Sequence, residues 1–301
     1  MVVLDAFERA VRQCPRHVAL VLEDGQSFTY TALDTIAAAI ADELACAVQH
    51  VAVSPKTACG TPLVAVMMGR GVGIVASFLA VLKVGAAYVP VDPAFPPDRQ
   101  AHIFAHSQCA VLLTDAACLE LAVAMGVPLP PALVVDSSAI LPDGVDSDSD
   151  GVVSRMLNLP PDLGRDVDKP ALVAAQRQRS GSSSDGGCLA YVLYTSGSTG
   201  KPKVRFRAHQ TRTLTLRIAL TFTLTQPPLT KGVMVTHAGL ANVVAWFAQE
   251  LSVGPHSRVL GVTTFCFDIS MLELFLPLVS GGALVLASQV SPYTAPYVPP
   301  I

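Results

Sequence analysis

The sequence predicts an α/β fold with mostly parallel sheets flanked by helices. Short apolar runs typical of buried strands alternate with longer segments whose apolar residues have helical spacing, and this order favours a parallel sheet. The 301 residues are 51% hydrophobic and 14% charged, enough to bury the core of one large domain or two ordinary ones. The net charge of −3, without a dense cluster of Lys and Arg, argues against nucleic-acid binding.

The N-terminal segment predicts two helices around a β-hairpin. Apolar residues at helical spacing indicate a helix over Phe7–Cys14. Alternating strands are expected at Val18–Leu22 and Ser27–Tyr30, separated by a polar turn. Thr31 is the expected cap of a helix over Ala32–Val48.

A second strand–helix–strand unit follows. Pro62–Met68 predicts a strand and Val72–Leu82 a buried helix that Gly85 can end. The next strand is expected over Tyr88–Val91, and Pro90 favours a place for it at a sheet edge because proline cannot donate to the ladder.

The central part of the chain predicts two further parallel strands, Cys109–Thr114 and Ala132–Asp136, with a helix between them. Residues 138–187 are expected to form polar loops, since residues 143–150 are acidic and residues 177–187 are rich in Ser and Gly.

The last third predicts strands at Leu189–Leu193, Val259–Val262 and Leu284–Ser288. A helix is expected from His237, with Thr236 as its cap. We interpret His237 as a surface histidine at a strand end.

Neither secretion nor membrane insertion is expected. The N-terminus lacks the basic region of a signal peptide, and the longest apolar run, Gly71–Leu82, is shorter than the roughly 20 residues that span a bilayer. Seven cysteines without a Cys-x-x-Cys pair indicate reduced thiols rather than a disulfide framework or zinc site. The expected location is cytoplasmic.

The strand at Leu189–Leu193 runs into a stretch rich in glycine and hydroxyl groups, Tyr-Thr-Ser-Gly-Ser-Thr-Gly-Lys-Pro-Lys over Tyr194–Lys203. Glycines let backbone N–H groups approach a ligand, and hydroxyls and lysines add donors and positive charge, which suits a polyphosphate. The stretch departs from a Walker A loop, because Thr195 and Pro202 replace a required Gly and hydroxyl. A flexible linker is the alternative interpretation. The candidate phosphate-binding residues are Thr195, Ser196, Gly197, Ser198, Thr199, Gly200, Lys201 and Lys203.

This motif resembles the phosphate loop of the adenylate-forming superfamily, and more narrowly that of nonribosomal peptide synthetase adenylation domains. Two further stretches are similar to core motifs of that family. Phe28–Leu33 resembles the first, with Ala32 in place of its Glu, and Leu82–Pro93 resembles the second. The resemblance implies the N-terminal subdomains of the adenylate-forming enzyme fold over residues 1–288, followed by a tail, 289–301, outside the family pattern.

The implied reaction is activation of an amino-acid carboxylate by ATP and Mg²⁺, giving aminoacyl-AMP and pyrophosphate. In the full-length family the aminoacyl group then passes to the phosphopantetheine thiol of a peptidyl carrier protein. The loop would hold the β- and γ-phosphates.

Phe267–Ser270 resembles the family's Phe-Asp-x-Ser motif. The resemblance implies that Asp268 accepts the α-ammonium of the substrate and that Ile269 and Leu272 line its side-chain pocket. From the residues alone, a helix N-cap at Asp268 or Ser270 is the favoured interpretation.

The family continuation after Lys203, Gly-Val-Met-Val-Thr-His, occurs only from Gly232 onward. The intervening Val204–Lys231 comprises 28 residues, and its removal restores the family pattern. We favour a retained intron translated in frame, with an inserted β-hairpin as the alternative. Such an interruption is expected to displace Lys203 or the strand that follows it.

The family's later parts, including its catalytic Lys, are not found in this sequence, so no catalytic residue is assigned. An inactive fragment of the family is therefore a second hypothesis. A third, an acyl-CoA synthetase, shares the loop but gives Asp268 no ammonium to bind.

Overall fold

The computed structural model describes residues 2–49, 60–126, 128–136, 157–158, 173, 187–196, 222–223 and 230–288. Helices and strands alternate along this part of the chain, as predicted. The helices are α1 (Val3–Gln13), α2 (Tyr30–Gln49), α3 (Val72–Lys83), α4 (Pro97–Ser107), α5 (Ala116–Ala124), α6 (His237–Glu250) and α7 (Asp268–Val279). The strands are β1 (Val18–Leu22), β2 (Ser27–Thr29), β3 (Leu63–Met67), β4 (Ala87–Pro90), β5 (Val111–Thr114), β6 (Ala132–Val135), β7 (Leu157–Asn158), β8 (Leu189–Ser196), β9 (Phe222–Thr223), β10 (Thr230–Thr236), β11 (Arg258–Gly261) and β12 (Ala283–Leu286).

The described strands form two sheets. The smaller has the order β11-β12-β1-β2, in which β1, β11 and β12 are parallel and β2 returns antiparallel to β1. The larger has the order β7-β6-β5-β3-β4-β8-β10-β9. Its centre, from β6 to β8, is parallel, whereas β7, β10 and β9 are antiparallel to their neighbours. The predicted α/β class with mostly parallel sheets is confirmed.

The expectation that Pro90 places its strand at a sheet edge is wrong. Strand β4 lies between β3 and β8. Pro90 is the last residue of β4, and β8 pairs with β4 at Tyr88, two residues earlier. The missing N–H therefore falls beyond that pairing, and the next residue, Val91, already donates to Val66 of β3.

Thr31 is not the cap of α2. The helix begins one residue earlier, at Tyr30, and the hydroxyl of Thr29 accepts a hydrogen bond from the N–H of Ala32 at 3.1 Å. Thr31 instead donates its hydroxyl to the carbonyl of Pro15. The predicted cap at Thr236 is confirmed, since its hydroxyl accepts from the N–H of Gly239 at 3.2 Å.

One hydrophobic cluster contains residues of both sheets, including Leu20 and Leu284 of the smaller sheet and Val64 and Leu193 of the larger. Polar contacts join the two layers as well. Arg70, which follows β3, donates to three main-chain carbonyls next to β11 and β12, those of Gly261, Thr263 and Ala287, at 2.7–2.8 Å. These contacts seat the ends of the two sheets against each other.

Two short strands lie in segments for which no strand was predicted from the sequence. Leu157–Asn158 lies within the predicted polar loops and pairs with β6, and Phe222–Thr223 lies within the 28-residue interruption and pairs with β10. The remainder of the interruption up to residue 229, and most of residues 138–187, are outside the described residues. Among the helices that are described, none is long and apolar enough to cross a membrane.

Candidate active site at the carboxyl edge of the large sheet

The predicted phosphate loop begins at the end of a strand that is longer than expected. Strand β8 continues three residues beyond Leu193, so Thr195 and Ser196 belong to its backbone. Because β8 runs parallel to β4, it ends at the edge of the sheet where β3 and β4 also end. Carboxyl edges of parallel strands are the common ligand sites of open α/β sheets. The other predicted loop residues, Gly197, Ser198, Thr199, Gly200, Lys201 and Lys203, lie outside the described residues.

The strand after the interruption is not displaced. Strand β10 pairs antiparallel with β8 in a register that places Thr230 opposite Ser196, Lys231 opposite Thr195 and Gly232 opposite Tyr194. Residues 197–229, which are 33 in number, separate the two ends of this pairing. The interruption therefore leaves the Gly-Val-Met-Val-Thr strand beside β8.

Tyr194 is held from three sides. Its side chain is only 2% exposed, and burial raises the pKa of its hydroxyl. Arg99 of α4 donates to its carbonyl oxygen at 3.0 Å, and Nδ1 of His106 lies 2.8 Å from its hydroxyl. Its ring covers Gly232, where an added Cβ would be 3.3 Å from Tyr194 Cζ and 3.2 Å from Cγ1 of Val192. A side chain at position 232 would therefore push against Val192 and Tyr194, so the close cross-strand packing favours glycine here.

The sequence did not single out Arg99 or His106. They lie with His102 at positions i, i+3 and i+7 of α4, a spacing that brings them to one face of the helix. His102 and His106 stack with their ring centroids 5.5 Å apart, and the guanidinium of Arg99 lies 3.8 Å from the centroid of the Phe95 ring. The i, i+3, i+7 spacing of these basic residues is the sequence signal that could have identified them.

Asp268 is the first residue of α7 and is exposed. The N-cap residue is Phe267. The prediction that Asp268 or Ser270 is the N-cap is therefore wrong. The Asp268 carboxylate does accept from the free N–H of Ile269 at 2.9 Å, while Ser270 donates its hydroxyl to the Phe267 carbonyl. A carboxylate in the first turn is favoured by the helix dipole.

Helix α7 carries Asp268 onto the face of the large sheet. The hydroxyl of Tyr88 lies 2.6 Å from Sδ of Met271, and Tyr88 stacks on Tyr191 of β8 at 5.4 Å. Burial, with a smaller contribution from the negative charge of Asp268, raises the pKa of Tyr191. Asp268 is therefore on the side of the sheet where Tyr191 lies, and Ser196 is five residues beyond Tyr191 along β8, roughly 16 Å from it.

The two predicted pocket residues have different surroundings. Ile269 is 55% exposed and Phe267 is 54% exposed, so large apolar side chains flank Asp268 without being covered by the described residues. Leu272 is half-buried and packs against the main hydrophobic cluster.

A cavity of about 790 Å³ lies at the same edge, between the ends of the two sheets. Its walls come from the segments after β3 and β4 and from the segment between β11 and α7, including Arg70, Asp92 and Phe267. Arg70 is occupied by its three carbonyl contacts, and the Asp92 carboxylate accepts from the Thr264 hydroxyl and the Ala94 N–H. These polar groups stabilise the cavity walls and leave its space largely apolar.

His237 is not a surface residue, contrary to the sequence interpretation. It is 8% exposed at the start of α6, and its main-chain N–H donates to the carbonyl of Cys188, next to the first residue of β8. Burial lowers its pKa to about 4, an effect that the charge of Asp5 only partly opposes. It lies at the opposite end of β8 from the predicted loop, which places it outside the candidate site.

The family model described as "AMP-binding enzyme" matches residues 7–222 and 229–298. The chain belongs to the AMP-binding enzyme family. The match is interrupted only over residues 223–228, so it does not delimit the 204–231 segment, and the domain boundaries drawn from the sequence stay predictions.

Relatives of this AMP-binding chain include large synthetases. Tyrocidine synthase 3 of Brevibacillus parabrevis is 32% identical over 93% of the chain, and malpibaldin synthetase of Mortierella alpina is 34% identical over 93% of it. The chain spans only 3% and 4% of the lengths of these two proteins.

Solved structures show the same fold. A crystal structure of the nonribosomal peptide synthetase FmoA3 matches 95% of the AMP-binding chain, and 22% of its own chain, with a TM-score of 0.60 at 22% identity. The N-terminal subdomain of Klebsiella oxytoca NpsA, in complex with 3-hydroxybenzoyl-AMSN, matches 96% of the chain and 54% of its own with a TM-score of 0.58 at 20% identity. The described architecture is that of the N-terminal subdomain of these adenylation domains.

Proposed function

We propose that this chain carries the part of an amino-acid-adenylating domain that holds the phosphates of ATP and the ammonium group of the amino acid. The observation that carries the proposal is the common placement of two motifs. The helix that begins with Asp268 contacts β4 through Met271 and Tyr88, and β4 pairs at Tyr88 with β8, the strand that leads into the phosphate loop.

The phosphate side consists of the loop between β8 and β10. Backbone N–H groups at glycines, the hydroxyls of Ser196, Ser198 and Thr199, and Lys201 and Lys203 would bind the β- and γ-phosphates and stabilise the charge of the departing pyrophosphate. An FmoA3 structure with AMPPNP bound supports a nucleotide in this fold.

Mg²⁺ would accompany the triphosphate. No group of three or more His, Cys, Asp and Glu side chains in the described ranges is placed to hold a metal ion. Magnesium commonly binds through substrate phosphates and one or two carboxylates, so the triphosphate would supply most of its ligands.

The substrate side consists of Asp268 with its apolar neighbours. A carboxylate beside exposed Phe267 and Ile269 would pair with an ammonium group once both are covered and removed from water. The α-methyl-L-serine-AMP bound in another FmoA3 structure supports an amino-acid adenylate as the product class. An acyl-CoA synthetase function gives Asp268 no cation to bind.

In longer relatives of this kind, the aminoacyl group would pass to the phosphopantetheine thiol of a peptidyl carrier protein. This partner follows from the nonribosomal peptide synthetases among the relatives and is proposed at the level of the whole protein.

The inactive-fragment hypothesis is favoured by one observation. The connection between Ser196 and Thr230 has 33 residues, whereas removal of Val204–Lys231 would leave 5. Catalysis requires accurate placement of the phosphate-binding groups, since errors of about 1 Å can cost roughly a hundredfold in rate, and the 28 extra residues separate these groups from the strand that follows them in the family pattern.

Two measurements on the purified chain separate these functions: equilibrium binding of a fluorescent ATP analogue with Mg²⁺, and amino-acid-dependent exchange of pyrophosphate into ATP. We expect nucleotide binding with little or no exchange. Clear exchange would contradict the inactivity of the chain as written, and the absence of nucleotide binding would contradict the proposed function and leave the inactive fragment.

The variants Asp268→Asn and Asp5→Asn test the substrate side. Both aspartates are exposed, and Asp5 lies in the first turn of α1, where its charge acts on His237 at the end of β8 opposite the predicted loop. In any preparation with measurable exchange, Asp268→Asn is expected to abolish it and Asp5→Asn to leave it unchanged. Equal effects of the two substitutions would argue against an ammonium site at Asp268.

A further inference from the structure

The contacts of Tyr194 assign a role to a residue of α4. We infer that Arg99 is a positioning residue for the phosphate loop: it fixes the end of β8 from which Thr195 and Ser196 lead into the loop. This inference rests on the proposed function for its effect on nucleotide binding.

The first step of the argument concerns what Arg99 holds. Its NH2 group donates to the carbonyl of Tyr194 at 3.0 Å, one residue before Thr195. A hydrogen bond from a charged donor contributes more than a neutral one. Arg99 is therefore a direct link between a helix and the strand residue at which the phosphate motif begins.

The second step concerns what holds Arg99. Its guanidinium lies 3.8 Å from the centroid of the Phe95 ring, a cation–π contact between α4 and the loop that precedes it. That loop is itself anchored, because the Gln100 amide donates to the carbonyls of Pro93 and Phe95 at 3.0 and 2.7 Å. The Phe95 ring and the anchored loop therefore hold the guanidinium of Arg99 in place against the end of β8.

The third step concerns the side chain of Tyr194. His106, two turns further along α4, bonds its hydroxyl at 2.8 Å, and the ring packs over Gly232 of β10. One helix therefore contacts both the carbonyl and the hydroxyl of the same residue. A movement of Tyr194 would shift both strands that bound the loop.

The charge of Arg99 has a further consequence. Its Nε–H is buried and has no hydrogen-bond partner within the described ranges, so the guanidinium is not saturated by its contact with Tyr194. A buried donor without a partner costs free energy, which the contacts of the guanidinium with Tyr194 and Phe95 must offset. A permanent positive charge at the base of the loop also favours a nearby triphosphate.

The test compares Arg99→Met and Arg99→Lys with Tyr30→Phe. Tyr30 is a stability control remote from the loop, because its buried hydroxyl donates to the carbonyls of Pro277 and Gly282 beside the smaller sheet. The readouts are hydrogen exchange of the amides in 189–196 and 230–236, and the Kd of a fluorescent ATP analogue with Mg²⁺.

We expect Arg99→Met to speed exchange at the loop ends of β8 and β10 and to weaken nucleotide binding about tenfold, as a small displacement of the binding groups would. Arg99→Lys should recover part of both, and Tyr30→Phe should change neither. Unchanged exchange in Arg99→Met, or an equal change in Tyr30→Phe, would overturn the inference. If the unaltered protein binds no nucleotide, the proposed function fails, while hydrogen exchange still decides whether Arg99 positions the strand.

Discussion

At the scale of single residues, burial changed the interpretation of His237. A histidine after a strand is commonly at the surface, yet here it is enclosed where α6 starts, with Nδ1 buried and without a hydrogen-bond partner in the described part of the chain. Its neutral form is therefore the one compatible with the folded protein. As a consequence, the free energy of unfolding is expected to fall as the pH is lowered.

We predict that His237 makes the protein less stable below neutral pH. Its pKa is about 4 when folded against 6.5 ordinarily, so the unfolded chain binds the proton first. The contribution of neutral His237 to the free energy of unfolding is fully present above pH 6.5. It is lost as the pH falls toward 4, and the loss is about 3 kcal/mol at most. This loss is measured by urea unfolding of the unaltered protein and of the His237→Gln variant across pH 4–7.5.

The comparison with His237→Gln isolates this one group. The variant should lose the part of the acid destabilisation that begins near pH 6.5, while the part caused by carboxylates remains. Parallel curves for the two proteins over this range would show that His237 is not the responsible group. His17, an exposed histidine, provides the matched substitution His17→Gln, which should leave the curve unchanged.

Arg70 is a second residue whose environment could not be predicted from the sequence. It follows β3 in a sequence that gives no sign of its partners, which are carbonyls 191–217 residues away in the chain. Desolvation lowers its pKa, while Glu273 and Asp92 oppose the effect.

At the scale of elements, the pairing of β8 with β10 explains how the fold tolerates the interruption. Strand pairing depends on register and on side-chain packing across the strands, here Tyr194 over Gly232, and not on a particular connection. The cost of closing a loop rises only slowly with its length.

Deletion of Val204–Lys231 should preserve this register. Pro202 and Lys203 would take the backbone positions of Thr230 and Lys231, and 5 residues, Gly197–Lys201, would connect the strands. Shortening the connection from 33 to 5 residues is expected to stabilise the protein by about 1.5 kcal/mol and to strengthen nucleotide binding. Urea unfolding and ATP-analogue binding measure the two effects.

A matched control removes the same number of residues one position later. Deletion of 205–232 places Val204 at the position of Gly232, where a Cβ would already be 3.2–3.3 Å from Val192 and Tyr194. This variant should be less stable than the first and bind nucleotide more weakly. Equal behaviour of the two deletions would contradict the register argument.

At the scale of the whole molecule, the two sheets share one core cluster and are joined by the hydrogen bonds of Arg70. A shared core favours unfolding as a single cooperative unit, since neither sheet keeps its buried surface when the other is lost. Trp246 of α6 is the only tryptophan of the chain and reports on one local environment.

We predict that Trp246 fluorescence and far-ultraviolet circular dichroism follow the same urea transition. Arg70→Met should shift both curves together by about 2–4 kcal/mol, because a charged donor and its three carbonyl partners lose their bonds. Arg12→Met, at an exposed arginine of α1, should shift neither. Separated transitions would show that the sheets unfold independently.

The sequence by itself determined the class and order of the elements and the family, because alternating patterns and a long phosphate-loop motif are local properties of the chain. Strand β1 was predicted residue for residue, and α3 to within one residue. The tertiary structure decided which strands are neighbours, that Pro90 is tolerated inside the sheet, that His237 is buried, and that Arg99 and His106 meet Tyr194. Each of these depends on contacts between residues far apart in the chain, and such contacts leave no periodic signal in a single sequence.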